Sequence, residues 1–143
     1  MTKRAQTNQP KKIVIVGCGR LGSLLAGRFS RDGQEVVIID RQEQAFRLLP
    51  PEFSGFRFAG NAIEHEVMRS VGLDQAGVLI AVTEKDTVNL MVAEVGQTIF
   101  NVPRVLARVY DQNNEELYRD TDIITISPTQ LTAKAFLLAL FPE

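Results

Sequence analysis

A buried strand that runs directly into a three-glycine turn constrains this chain more than any other feature. Ile13-Val14-Ile15-Val16 sets four β-branched residues in a row, which suits a strand covered on both faces. Gly17, Gly19 and Gly22 follow at the G-x-G-x-x-G spacing. The first glycine allows the tight turn, the second leaves room for a pyrophosphate against the backbone, and the third lets a helix pack close to the strand. Helix amides and the positive end of the helix dipole then form an anion site.

The second half of the fingerprint is Asp40. Gly33 ends the first helix, and Glu35-Val36-Val37-Ile38-Ile39-Asp40 reads as a second buried strand with a carboxylate at its tip. The distance from the glycines is close to the ~20 residues expected of the acid that accepts hydrogen bonds from an adenosine ribose. Such an acid repels a 2′-phosphate, which favours NAD or a plain adenine nucleotide. Arg41, next along, pulls the other way, because an arginine there can accept a 2′-phosphate. A merely solvated acid at a strand end is the bland alternative, and the presence of both halves of the fingerprint sets it aside.

Strand and helix signals alternate through the rest of the chain. A short helix over 42–49 is stopped by Pro50-Pro51, and Phe56–Ala59 reads as a third strand. Ile63, Val67 and Val71 recur at helical spacing, with Gly72 as the stop. A fourth strand covers 78–82. Thr83 is expected to start the next helix, with Asp86 completing a capping box and Val88, Met91, Val92, Val95 and Ile99 as its apolar stripe. Arg104–Val109 is the fifth strand, Asp111 caps a short helix ending near Tyr118, and Ile123–Ile126 is the sixth strand. Ser127-Pro128 then opens a final helix that runs to about Leu140. Six strands alternating with helices predict a Rossmann-type α/β fold, a doubly wound parallel sheet ordered 3-2-1-4-5-6, in one domain over 12–143.

Composition narrows the partners. At 143 residues, with 45% hydrophobic and 23% charged side chains, the chain suits one soluble globular domain. Sixteen basic against seventeen acidic residues leave no broad basic field, so nucleic acid is not expected as a partner. Residues 1–11, polar and basic with no apolar core, read as a flexible tail and not a signal peptide. The single cysteine excludes an intrachain disulfide and fits a cytoplasmic location. No apolar run approaches the ~20 residues that cross a bilayer. Cys18, without a second thiol to resolve it, reads as a small filler of the turn. His65, between Glu64 and Glu66, reads as a surface histidine, and no metal site is expected.

Taken together, Gly17-Cys18-Gly19-Arg20-Leu21-Gly22, Asp40, Gly60-Asn61-Ala62, Val82-Thr83 with Asp86 and Asn89, Arg108-Val109, Tyr118 and Ser127-Pro128 resemble the TrkA-type (RCK) nucleotide-binding domains of potassium-transport regulators. The likeness covers nearly the whole chain from Lys12. It implies a non-catalytic domain on the cytoplasmic face of a membrane-embedded potassium channel or transporter, biased in conformation by bound NAD(H) or ATP/ADP. It sets Gly17, Gly19, Arg20, Leu21 and Gly22 at the phosphates and Asp40, followed by Arg41, at the ribose. Asn61 and Ala62 fall at the adenine, and Thr83 and Arg108 at the cleft rim. Arg20 also has a reason of its own, since a guanidinium in the turn can fork onto phosphate oxygens.

Two departures remove negative charge from the cleft: Asn61 stands where the family usually has aspartate, and Gln42 where it often has an acid. The chain also stops at Glu143, where many relatives continue into a second ligand-binding domain; a single-domain protein and a fragment are both open readings. The rival function is an NAD-dependent oxidoreductase, or a fragment of one. It needs an acid or base at the nicotinamide, and no Tyr-x-x-x-Lys pair is present. The last helix, apolar on every side from Ala135 to Phe141, implies a homodimer or higher oligomer.

Overall fold

The computed structural model describes residues 12–143; the expected tail over 1–11 lies outside them. Six strands form one parallel sheet: β1 (Lys12–Val16), β2 (Glu35–Asp40), β3 (Phe56–Ala59), β4 (Val78–Ala81), β5 (Arg104–Arg108) and β6 (Ile124–Ile126). Their order is β3-β2-β1-β4-β5-β6, the expected doubly wound arrangement. β1 pairs with β2 on one flank, Val14 against Val37, and with β4 on the other, Val14 against Leu79. The order therefore reverses beside β1, where its glycine turn emerges.

Side chains alternate across the sheet and split the core in two. Ile13, Ile15, Val36, Ile38 and Ile80 face α1 (Arg20–Arg31) and a 3₁₀ turn over Glu43–Leu48. Val14, Val16, Val37, Ile39 and Leu79 face the other layer, formed by α2 (His65–Ser70) and α3 (Asp86–Thr98). Val14, Ile15, Ile38 and Ile39 are fully buried, each stabilising the fold by roughly 1.5–3 kcal/mol. That burial explains why β1 and β2 carry so little polarity between their ends.

Local details depart from the sequence reading. The capping box at Thr83 does not form, and α3 begins at Asp86 with no side-chain cap. Asp86 turns instead to the amides of Tyr110 and Asp111. The buried face of α3 is Asn89, Leu90, Val92, Ala93 and Gly96, whereas Met91 and Ile99 are exposed. Gly96 sets that face, because a Cβ there would collide with Leu79. Ile63 is likewise exposed, and the helix after it starts only at His65.

Two short caps do form as expected. Asp111 accepts from the Asn113 amide at the head of α4 (Gln112–Glu116), and Ser127 accepts from the Gln130 amide at the head of α5 (Pro128–Leu140). No residue of α5 is buried, and Phe136, Leu140 and Phe141 are about 70% exposed. On the α1 side of the sheet, Ile124 and Ile126 of β6, in register with Leu106 and Arg108, are uncovered as well.

Candidate functional site

The glycine turn sits at the C-terminal edge of the sheet, where the strand order reverses. Gly17 takes a φ of 109°, and its amide donates to the Ile39 carbonyl at 2.8 Å. A Cβ on Gly17 would lie 2.8 Å from the Val82 carbonyl oxygen, so the turn is wedged between the ends of β2 and β4. A Cβ on Gly22 would run into the Gly17 carbonyl oxygen; that glycine is what lets α1 start so close to the strand. Gly19 is different. Its φ is −87°, and an added Cβ would meet nothing in the chain within 4 Å. Nothing inside the molecule requires glycine there, and the space it leaves faces outward.

The head of α1 is short of negative charge. Ser23 makes the first bond back into the helix, to the Gly19 carbonyl at 2.9 Å. The amides before it have no intrahelical acceptor, no side chain caps them, and no acid stands in the first turn. Arg20 adds positive charge at the positive end of the dipole, the reverse of what an isolated helix favours. An anion would satisfy both the amides and the charge. Leu21 packs against the α1-side core, so only its backbone belongs to the turn.

Asp40 is half-buried beside this turn. Its Oδ2 accepts the Cys18 amide at 2.8 Å and its Oδ1 accepts the Gln42 amide at 2.8 Å. A carboxylate offers about four lone-pair sites, so acceptor capacity remains. The Gly60 amide donates to the Asp40 carbonyl at 2.9 Å, which brings Asn61 alongside. Asn61 uses its own side-chain oxygen on the Ile63 amide at 3.2 Å. The Ala62 methyl is in the core. Arg41 is exposed at the outer lip.

Across the reversal point, Thr83 and Arg108 meet through a residue outside the expected site, Asn89. This fully buried amide accepts the Thr83 N–H at 2.8 Å and the Thr83 hydroxyl at 2.6 Å. It donates to the Thr83 carbonyl at 3.0 Å and the Arg108 carbonyl at 2.9 Å. Arg108 sends Nη2 to the Val82 and Thr83 carbonyls at 2.9 and 3.0 Å, lies 5.2 Å from the Tyr110 ring centre, and keeps a buried Nε without a partner. In sequence, Asn89 is marked by its place in the family resemblance and by its polarity amid the apolar positions of a helix.

One carboxyl group and one thiol are tuned by their surroundings. Burial pushes Asp86 up, but the Tyr110 and Asp111 amides, Asn114 and the Arg108 charge together carry it below 3.8. Burial, then Asp40, pushes the Cys18 thiol up to about 11, against a smaller opposing pull from Arg57. That thiol donates to the Ala45 carbonyl at 3.4 Å, as befits a filler of the turn. His65 is exposed, edge-on to Phe100. Among the described residues no cluster of His, Cys, Asp and Glu could hold a metal, and no helix is long and apolar enough to cross a membrane.

Comparison with known proteins bears on the family and the fold. The TrkA-N domain model matches residues 13–128. The Trk system potassium uptake protein TrkA of Streptomyces coelicolor is 38% identical over 131 residues, spanning 92% of this chain and 59% of that protein. TrkA of Azorhizobium caulinodans is 33% identical over 71% of this chain and 22% of its own length. The chain therefore spans less than two thirds of the length of each of these relatives. The crystal structure of the TrkA-N domain of inner membrane protein ybaL from Escherichia coli superposes with a TM-score of 0.80 at 20% identity, covering 92% of this chain and 98% of that one. The GsuK channel bound to NAD superposes at 0.75 and 25% identity over 92% of this chain and 23% of that chain. GsuK bound to ADP gives 0.74 at the same identity, covering 34% of that chain.

Proposed function

The chain belongs to the TrkA-N domain family, and from that premise we propose that it is a nucleotide-sensing regulatory domain of a potassium channel or transporter, working on the cytoplasmic face of the membrane. The observation that carries the reading is the head of α1: uncapped amides, Arg20 and an outward-facing gap at Gly19 stand together beside Asp40. Phosphates at Gly17–Gly22 and a ribose on Asp40 satisfy all of these at once. The adenine then falls near Asn61 and Ala62, and Thr83 and Arg108 form the opposite rim. NAD(H) and ATP/ADP are the candidate ligands; GsuK, a structural neighbour, has been solved with NAD and with ADP.

Regulation, rather than catalysis, is the role assigned. A ligand regulates by binding one arrangement more tightly than another, and α5 supplies the element to be moved. Isolated helices of this length are marginal in water, yet this one buries none of its residues within its own chain. A second copy supports both uncovered surfaces: its α5 lies on the strip formed by Leu106, Ile124 and Ile126, and the exchange is reciprocal about a two-fold axis. Phe136 and Leu140 are assigned to that contact.

The test is calorimetry of the purified chain with NADH, NAD, ATP and ADP in parallel, with light scattering on the same samples. At least one nucleotide binds, and the mass is that of a dimer or larger. Absence of binding by all four overturns the sensor. A folded monomer at tens of micromolar, where ~8 kcal/mol of association registers, overturns the α5 exchange.

A further inference from the structure

We propose that Asp40 is a positioning residue, holding the glycine turn in its phosphate-receiving shape before any ligand arrives; this rests on the nucleotide-binding reading above. One carboxylate ties two loops. Oδ2 accepts the amide of Cys18, the residue between the first two glycines, and Oδ1 accepts the amide of Gln42, which opens the loop after β2. Cys18 is 1% exposed, so its amide has no ready access to water and needs an acceptor inside the protein.

The consequence is a division of labour among the turn amides. The Cys18 amide points sideways into Asp40 and is withdrawn from any ligand. The amides of the helix head beyond it have no intrahelical acceptor and no side-chain cap, and stay available to a ligand. Without the carboxylate, the buried Cys18 amide has no acceptor, and the turn has to shift to satisfy it. The free lone pairs of the same two oxygens serve the ribose, so one side chain both shapes the phosphate site and reads the sugar.

Two uncharged substitutions separate these roles. Asp40→Asn and Asp40→Ala remove the same charge, so any electrostatic gain toward a phosphate is shared. Only asparagine keeps an oxygen that can accept the Cys18 amide. The probe is inorganic pyrophosphate, which has no ribose, titrated calorimetrically into the full chain. Asp40→Asn is expected to bind it about tenfold more tightly than Asp40→Ala; equal affinities overturn the proposal. Amide exchange of Cys18, followed by NMR without ligand, gives an independent readout. It is slow in the wild-type chain and in Asp40→Asn, and at least about tenfold faster in Asp40→Ala. Free exchange of Cys18 in the wild-type chain overturns the proposal with no variant needed. If the wild-type chain binds neither pyrophosphate nor an adenine nucleotide, the sensor reading fails, and the exchange rates still decide what Asp40 does to the turn.

Discussion

Replacing Asn89 by alanine removes four hydrogen bonds from the ends of β4 and β5. The Thr83 carbonyl keeps its bond from Arg108 and the Thr83 hydroxyl can turn to the Lys85 carbonyl. The Thr83 amide loses its acceptor; the Arg108 carbonyl also loses its Asn89 donor, an under-satisfied carbonyl being the cheaper of the two. One orphaned, enclosed amide costs about 1–3 kcal/mol, and the space left by the carboxamide adds roughly 0.5–1 kcal/mol. Alanine's better helix propensity returns at most about 0.7 kcal/mol. The balance is a loss of about 1–3 kcal/mol, seen as a Tm lower by roughly 3–12 °C at the ~3–4 °C per kcal/mol expected for a domain of this size.

Asn89→Asp is the control of equal shape. It keeps the acceptor for Thr83 but turns its other oxygen toward the Thr83 and Arg108 carbonyls. Protonation relieves that repulsion, so the introduced carboxyl titrates higher in the folded chain than the ~3.9 of an unfolded aspartate. Its deficit against wild type is therefore smallest below about pH 4 and grows as pH rises through the raised folded value. Differential scanning calorimetry from pH 4 to 8 measures both variants. A Tm for Asn89→Ala within about 2 °C of wild type, or an Asn89→Asp deficit that is flat with pH, refutes the Asn89 hydrogen-bond network as a source of stability.

Gly19→Ala should leave the melting temperature within the ±0.5 kcal/mol of a neutral surface change while weakening nucleotide binding, whereas Gly22→Ala, which drives a methyl into the Gly17 carbonyl, should destabilise by about 2 kcal/mol or more; thermal melts alongside calorimetry separate the two. Asp86 titrates below its ordinary 3.8 in the folded state, so the stability it contributes is complete above that value and is lost as pH falls through the lower one. The gap between wild type and Asp86→Asn should accordingly be widest near neutrality and close below about pH 4, as urea titrations at a series of pH values will report. Cys18, with its thiol pushed up to about 11 and buried, should resist iodoacetamide at pH 8 until the chain is unfolded; rapid labelling of the native protein contradicts its role as filler.

What the sequence made legible was the part governed by local pattern. The interiors of β1 and β2 and the whole of β4 are apolar because both sheet faces are covered, and the glycine spacing and Asp40 mark the sheet edge where the order reverses. What it hid depends on partners far along the chain. Thr83 and Asp86 have the spacing of a capping box, yet the amides of Tyr110 and Asp111 claim the Asp86 carboxylate. The face of α3 follows from Gly96 against Leu79 and from Asn89 reaching Thr83 and Arg108, neither of which a helical period contains. Likewise the motif around Ala62 does not reveal that its methyl packs into the core.

The sheet order has a consequence for a chain made from one end. β1 pairs with β2 soon after both are synthesised, but its other edge waits for Val78–Ala81, more than sixty residues on from Val16. At ~5–20 residues per second that interval is roughly 3–12 s. During it, Ile13-Val14-Ile15-Val16 presents an open apolar edge, the kind that recruits strands from neighbouring chains. The central strand of the finished sheet is therefore the nascent chain's most vulnerable segment, and substitutions that delay β4, far from the glycine turn, should lower soluble yield before they lower the stability of the folded protein.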